Sequence, residues 1–422
     1  MTDRSPNHDH ATLGVALVVT LDTKEDEAAF VVEELEARGA RPIVIDVGVL
    51  GEPARTMPGV DHASVAAAAG HTLAEVQQAG SRGAAVELMQ QGAINVLTEL
   101  HERGELHGAL VIGGAEGAVV GAGTLRTLPI GFPKFLLSPV LSGKRTFEPF
   151  VGVSDMVMMH SVVDIAGINP VSIPIYRNAV AAIVGMAAAY QGRQPQPDGR
   201  FVGVTMLGNT DRAVKQLSPQ LAELGWEPVI FHSNGAGGRA MEELAATGRL
   251  QALIDLTTNE LADEVCGGLQ AGGPDRMARS AELGLPTVVG LACSDFFVVP
   301  AREGVPDRLR DRATYYHNPE YLLVRLTADE MLEVADRIVA ALNRGSGPLT
   351  VCFPADGLSI GNHPGGPFFD PDADRAFFQR IDAGLRPDAE RHIVNAHVND
   401  PKFAAALVAA FRSLLTPSRT QS

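Results

Sequence analysis

Apolar runs of strand length alternate along this chain with amphipathic stretches of helix length. Residues 14–21 (GVALVVTL) and 109–112 (ALVI) are almost uninterrupted apolar segments, which is typical of parallel strands buried on both faces of a sheet. Residues 24–38 carry apolar side chains at helical spacing and end at a glycine, as an α-helix does. Strands that alternate with helices in this way predict an α/β protein with mostly parallel sheets.

The order of these segments recurs in the second half of the chain. A polar, proline-rich stretch at 191–199 (QGRQPQPDG) separates the two halves, as a domain linker does. We therefore predict two similar Rossmann-like, doubly wound domains, residues 1–195 and 196–422. The matching segments are 14–27 with 201–214, 41–46 with 226–231, 107–114 with 250–258, and 130–140 with 283–293.

Three other stretches depart from this alternation. Residues 51–82 are rich in glycine, proline and polar side chains, which predicts a loop with a short helix, long enough to form a lid. The Met and Val residues of 156–169 recur at helical spacing and predict core packing, with His160 as a packing residue or a ligand contact. Residues 307–327 group arginines and tyrosines beside His317 in a predicted long loop, a kind of segment that often closes a site or packs on a partner.

Glycines follow the predicted strand at 109–112. Gly113, Gly114 and Gly117 remove Cβ atoms just before a predicted helix, so that a ligand could approach the backbone closely. The unpaired N–H groups and the positive end of the helix dipole would suit a phosphate or a carboxylate. The alternative is a tight structural turn that binds nothing.

Polar residues end the neighbouring strands of the first half. Asp22 or Thr23 is predicted to cap the helix after the first strand. Asp46 ends the second strand, near the position where a mononucleotide-binding fold places an acid on a ribose hydroxyl, or it is simply a solvated acid. Ser138 ends the strand at 134–137, and the basic pair at 144–145 in the following loop is either solvated or faces a phosphate on the glycine turn.

In the second half, polar turns again gather at predicted strand ends. Residues 232–238 (HSNGAGG) precede a helix that Arg239 opens, which makes a second candidate anion turn or a tight connection. Since the carboxyl ends of parallel strands form the usual ligand site of such sheets, we expect a cleft there, shared by both domains. The candidate catalytic residues at these strand ends and in the later loop are Asp255, Glu260, His232 and His317.

Composition narrows the classes of partner. The formal net charge of −16 and the absence of a Lys/Arg cluster argue against nucleic acid or an anionic membrane as partner. Cys266, Cys293 and Cys352 stand far apart, so their spacing suggests neither a disulfide framework nor a metal site. No signal peptide or long apolar run is evident, which predicts a soluble cytoplasmic protein.

Several long blocks together resemble the ATP-binding domain family of the tobamovirus-resistance protein of tomato and its bacterial relatives. The resemblance covers nearly the whole chain, in the same order. It implies two Rossmann-like subdomains, ATP with Mg²⁺ bound in the first of them, and a homodimer. The blocks are LDTKEDE, LPIGFPKFLLS, VGVSDMVMMHSVVDIAGIN, VTMLG, FHSNGAGGRAMEEL, DLTTNELADE and YYHNPE.

Matched residue by residue, this resemblance implies a nucleotide site in the first half. Relatives typically carry GGSGGT where this chain has GGAEGA, so a hydroxyl donor is missing at Ala115 and a carboxylate appears at Glu116. A carboxylate close to a phosphate opposes binding, and this departure predicts weaker ATP binding than in the family. The implied contacts are Asp22, Thr23, Lys24, Asp46, Gly113, Gly114 and Gly117.

Three functions fit these observations. The first is a nucleotide-binding protein, with hydrolase or transferase activity on a small polar metabolite in the cleft. The second is a non-catalytic interaction module whose ligand stabilises a dimer. The third is an enzyme of this fold that has lost ATP and acts on a carboxylated metabolite.

Overall fold

The computed structural model describes residues 13–55, 57–142, 148–190, 199–302 and 304–416. The chain divides into two compact units, Met1–Pro195 and Gln196–Ser422. Within its described residues, each unit holds a six-stranded sheet whose paired strands are all parallel. The predicted α/β class, with two Rossmann-like domains of parallel strands, is confirmed.

The N-terminal unit has the strand order β3-β2-β1-β4-β5-β6, which is the order of the dinucleotide-binding fold. Its strands are β1 (Leu13–Val19), β2 (Ala40–Asp46), β3 (Gly59–Val60), β4 (Gly108–Ile112), β5 (Lys134–Ser138) and β6 (Val157–His160). Its helices are α1 (Leu21–Glu36), α2 (His62–Ala68), α3 (Leu73–Gln77), α4 (Arg82–Glu102), α5 (Ala115–Leu125), α6 (Glu148–Val151) and α7 (Ser172–Ala189).

The C-terminal unit combines a six-stranded parallel sheet with a smaller antiparallel sheet. Its strands are β7 (Phe201–Met206), β8 (Glu227–His232), β9 (Ala252–Thr257), β10 (Thr287–Ala292), β11 (Phe296–Pro300), β12 (Thr314–Tyr316), β13 (Tyr321–Arg325), β14 (Leu349–Pro354) and β15 (Glu390–Val394). Its α-helices are α8 (Asp211–Glu223), α9 (Gly237–Ala246), α10 (Asn259–Cys266), α11 (Ala278–Glu282), α12 (Ala328–Leu342), α13 (Pro371–Gly384) and α14 (Pro401–Leu414), with 3₁₀ turns at Gly208–Thr210 and Asp307–Leu309.

The two units share the arrangement of their first strands. The C-terminal parallel sheet has the order β15-β14-β10-β9-β7-β8, and β11, β13 and β12 form the antiparallel sheet. The series β2-β1-β4-β5 in the first unit therefore corresponds to β8-β7-β9-β10 in the second. These are the strands that the repeated sequence segments predicted.

The apolar run of β1 fills the core on both faces of the first sheet. Ala16 and Val18 pack into one cluster, and Val15, Leu17 and Val19 pack into the other. Successive side chains of a strand point to opposite faces, so a strand covered by helices on both sides needs an uninterrupted apolar run. This is why no alternation of polar residues marks β1 in the sequence.

Helix α7 covers one of these faces. Its buried residues Tyr176, Val180 and Ile183 belong to the same cluster as Val15 and Leu17. By length and composition α7 is also apolar enough to cross a membrane, a property that the sequence reading missed. In this structure its buried face packs on the sheet.

Residues 156–169 contribute Met156 and Ile165 to the core, as predicted, but they do so without forming a helix. Val157–His160 is an edge strand that pairs with β5, and both Val157 and His160 are exposed. The prediction of His160 as a packing residue is therefore wrong. A run of only four residues carries too little periodicity to separate a strand from a helix.

Residues 307–327 contain a hairpin instead of a long loop. Strands β12 and β13 pair antiparallel, and β13 also pairs with β11. The Asn318 side chain closes the turn by accepting hydrogen bonds from the N–H groups of Glu320 and Tyr321, at 2.8 and 2.9 Å. The charged residues before this short apolar strand concealed it in the sequence.

The three cysteines are free thiols. Cys293 and Cys352 are buried, and Cys266 is partly buried. Burial raises the pKa of the Cys266 and Cys352 thiols to about 12, because the apolar interior disfavours the thiolate. It raises the pKa of Cys293 as well.

Candidate functional site

A cavity of about 900 Å³ lies in the N-terminal unit, at the carboxyl ends of β1, β2 and β4. The chain leaves β1 towards β2 and β3, and then returns to β4 on the other side of β1. Such a reversal of strand order is where doubly wound sheets usually bind ligands. The volume is within the range of small-molecule sites. The wall is formed by residues of the segments 20–24, 47–50, 77–86 and 114–120.

The predicted glycine turn opens one side of this cavity. Gly114 is the N-cap residue of α5, and no side chain caps this helix. Gly114 and Gly117 line the cavity, whereas Gly113 lies behind them. A Cβ atom on Gly113 would come within 2.9 Å of the Gly117 backbone, so the close approach of strand and helix requires glycine there.

A second helix begins on the opposite side. The N-cap residue of α1 is Thr20, again without a hydrogen bond from a capping side chain, and the backbone is kinked at Lys24, where φ and ψ are not helical. Asp22 and Thr23 were expected to cap this helix, and that prediction is wrong. Thr20, Thr23 and Lys24 all line the cavity. Lys24 forms no salt bridge among the residues that the structure describes, so its ammonium group is open to a ligand.

Asp22 and Asp46 hold the segment after β2 against the turn after β1. The Asp22 Oδ2 atom accepts hydrogen bonds from the N–H groups of Val49 and Leu50, both at 3.1 Å. The Asp46 Oδ1 atom accepts from Leu21 at 3.0 Å and from Gly48 at 2.9 Å. These four bonds shape the cavity wall.

The two acids differ in exposure. Asp22 lines the cavity, but Asp46 is only 1% exposed and lies behind the wall. Burial raises the pKa of Asp46, and its Oδ2 lies 3.8 Å from His62 Nδ1. This placement favours a structural role for Asp46 over the predicted contact with a ribose hydroxyl.

Glu116 also lines the cavity, at the first turn of α5. Its Oε2 atom lies 2.5 Å from the Arg82 Nη2 atom. Arg82 begins α4 and lines the cavity too. The carboxylate of Glu116 is therefore paired with a cation at the cavity wall.

Other predicted contacts lie elsewhere. Ser138 is fully buried at the end of β5, where its Oγ accepts from the Val140 N–H at 3.4 Å, and it does not line the cavity. The basic pair at 144–145 lies outside the described residues. Segment 51–82 contains β3, α2 and α3, and its residues 77–82 contribute to the cavity wall.

The two predicted catalytic acids of the C-terminal unit are buried in a cluster of ion pairs. Arg276 donates from Nη1 and Nη2 to Asp255 at 2.7 and 2.8 Å, and from Nε to Glu260 at 2.7 Å. Its Nη1 also donates to Glu242 at 2.9 Å. All four residues are at most 2% exposed. The sequence did not indicate that Arg276 and Glu242 belong to this cluster, because residues that pair over long distances along the chain show no characteristic spacing.

The predicted catalytic histidines are exposed and lie apart from these acids. His232 ends β8. The His317 ring lies near Gly208, just after β7, with its Cε1 atom 4.0 Å from the position that a Cβ on that glycine would occupy. Among the described residues, no hydrogen bond or ion pair joins either histidine to Asp255 or Glu260. The structure therefore does not assemble the four residues into one group.

Sequence comparison identifies the family. Residues 13–192 match the N-terminal domain and residues 200–415 the C-terminal domain of the family described as "Uncharacterised protein family (UPF0261)". This chain belongs to the UPF0261 family. A UPF0261 protein of Clostridium tetani is 34% identical over 396 residues, covering 93% of this chain and 96% of that protein. One of Mesorhizobium japonicum is 37% identical over 402 residues, covering 94% and 98%.

The family extends to a plant protein. The ToMV resistance protein Tm-1(GCR237) of Solanum lycopersicum is 34% identical over 358 residues, which cover 83% of this chain and 47% of that protein. The resemblance to the tobamovirus-resistance protein is thus confirmed as a family relationship. A solved UDP-N-acetylglucosamine 2-epimerase structure aligns at 12% identity with a TM-score of 0.20, covering 97% of this chain and 99% of that one. A likeness of that size carries no argument about function.

Proposed function

We propose that the N-terminal domain of this UPF0261 protein binds a nucleotide, ATP by resemblance to the family, with its phosphates against the first turns of α1 and α5. One observation carries the proposal: the N-terminus of α5, which no side chain caps, and the first turn of α1 border one cavity together with Lys24, at the reversal of strand order. Open N–H groups and helix dipoles stabilise phosphate. A lysine adds a charge-assisted hydrogen bond.

Mg²⁺ fits this arrangement as a companion of the nucleotide. Within the described part of the chain, no group of three or more His, Cys, Asp or Glu residues could hold a metal alone. Nucleotide-bound Mg²⁺ usually takes one or two carboxylates together with phosphate oxygens, and Asp22 and Glu116 both line the cavity. Mg²⁺ would neutralise the part of the phosphate charge that Lys24 and Arg82 leave unneutralised.

The proposal is one of binding. Asp255 and Glu260 are buried in ion pairs with Arg276, which gives no support to a catalytic role for them. We also propose a cytoplasmic location, which the free thiols support, and a homodimer, on the family resemblance alone.

Loss of the Lys24 ammonium group tests the binding proposal directly. We expect Lys24→Ala to weaken binding of Mg²⁺–ATP about ten- to hundredfold, the usual effect of losing a hydrogen bond to a charged group. Isothermal titration calorimetry on the full chain measures this. Lys402→Ala is the matched control, because the Lys402 ammonium donates to the Asn395 carbonyl oxygen in the other unit. No ATP binding by the wild type, or equal affinity in both variants, would refute the site.

Removal of the Glu116–Arg82 ion pair should have the opposite effect on ATP affinity to removal of Lys24. We expect Glu116→Gly combined with Ala115→Ser to raise ATP affinity several-fold or more, because Arg82 is released to the phosphates and a hydroxyl donor returns. Calorimetry with and without Mg²⁺ decides this. Glu99→Gln is a suitable control, since Glu99 pairs with Arg103 outside the cavity. Tight wild-type binding without Mg²⁺ would show that Glu116 does not oppose the phosphates.

A further inference from the structure

The second glycine turn, residues 235–238, already holds an anion. Helix α9 begins there, and its N-cap residue Ala236 provides no side-chain hydrogen bond. The Glu260 Oε1 atom accepts hydrogen bonds from the N–H groups of Gly235 at 2.9 Å and Gly238 at 3.3 Å. A carboxylate from a neighbouring helix thus takes the place of an external anion at this helix N-terminus.

The carboxylate is enclosed, and on its other side it pairs with Arg276, which Asp255 and Glu242 share. Glu260 has no exposed surface, and its Oε2 accepts from the Arg276 Nε at 2.7 Å. A Cβ on Gly238 would lie 2.1 Å from Glu260 Oε2 and 1.9 Å from Arg276 Nε. The backbone at Gly238 therefore approaches the carboxylate and the guanidinium as closely as it would approach a bound ligand.

We infer that the C-terminal domain contains a second anion-binding turn and that the Glu260 side chain is its resident anion. Without that side chain, the site accepts a small carboxylate or a phosphate group. The N-terminal turn differs because no side chain caps α5, and Glu116 pairs with Arg82 instead. If the proposed function holds, one chain therefore binds one nucleotide, in its N-terminal domain.

Rescue by formate tests this inference. Glu260→Ala in the full chain removes the carboxylate and leaves the two N–H groups and Arg276 in place. We expect its melting temperature to fall below that of the wild type in chloride. Formate at equal ionic strength and about 100 times its Kd should raise the melting temperature of the variant by about 5–10 °C. The wild type should not respond.

Asp263→Ala is the matched control, on the same helix. Asp263 is also buried and its Oδ1 accepts two backbone hydrogen bonds, from Gln270 and Val298. No arginine pairs with it among the described residues. Formate should not rescue this variant. An equal response of both variants, or none in Glu260→Ala, overturns the inference.

If Glu260→Ala does not fold in chloride, refolding from denaturant replaces the melting measurement. A higher refolding yield in formate than in chloride supports the inference, and equal yields refute it. A separate experiment titrates the wild type with nucleotide, and we expect one binding site per chain. Absence of ATP binding would refute the proposed function but leave formate rescue intact, whereas failure of rescue with ATP bound would refute only the resident anion.

Discussion

Arg276→Met is expected to reduce the free energy of unfolding by about 3–5 kcal/mol, the usual cost of removing one partner from a buried ion pair. The substitution keeps an unbranched side chain that fills part of the space, but it leaves Asp255, Glu260 and Glu242 without their shared cation. Buried carboxylates without a counter-charge are strongly disfavoured. Urea unfolding followed by circular dichroism measures the change.

The loss should shrink at acidic pH, because burial raises the pKa of Glu242 and its protonation removes one of the unpaired charges. Arg380→Met serves as the control, since the Arg380–Asp336 ion pair is exposed and should contribute little. A loss in Arg276→Met no greater than in the control would show that the cluster does not stabilise the domain.

Asp263→Asn is expected to abolish a large part of the pH dependence of stability. Burial raises the pKa of Asp263 to about 7, from an ordinary 3.8. The folded chain therefore holds this proton more tightly than the unfolded chain does. Its contribution is complete below about pH 4 and is lost as pH rises through 7, a change of about 4 kcal/mol.

An asparagine imitates the protonated acid, because its oxygen still accepts from the Gln270 and Val298 N–H groups. The variant should be more stable than the wild type at pH 8 and equally stable at pH 4. Urea unfolding across this range measures the slope. Asp336→Asn should retain the wild-type slope, since Arg380 lowers the pKa of that exposed acid. An unchanged slope in Asp263→Asn would mean that the buried acid is ionised at neutral pH.

Local pattern was sufficient to predict the first strands of both parallel sheets and the open glycine turn, but it missed β6 and the hairpin of β12 and β13. Uninterrupted apolar runs mark β1 and β4, because parallel strands are covered on both faces, and Gly113 marks a contact that a side chain would block. Both signals lie within a few consecutive residues. They also led to the cavity, since Thr20, directly after β1, and Gly114, after β4, both line it.

Orientation and long-range pairing could not be predicted in this way. Asp46 ends its strand as expected, but only the three-dimensional path of the chain turns its carboxylate inward to Leu21 and Gly48. Arg276 meets Asp255 and Glu260 from positions 21 and 16 residues away along the chain. Acidic residues at strand ends look the same in sequence whether they face a ligand or a buried arginine.

The three native thiols, two of them buried and Cys266 partly buried, make this chain suitable for site-specific labelling. Their raised pKa values leave little thiolate at neutral pH, and the thiolate is the form that reacts with maleimides. At Gly114 no atom lies within 4 Å of the position of a Cβ, so Gly114→Cys places a single reactive sulfur at the mouth of the cavity. A fluorophore should attach there selectively, and a molecule that occupies the cavity should slow its attachment.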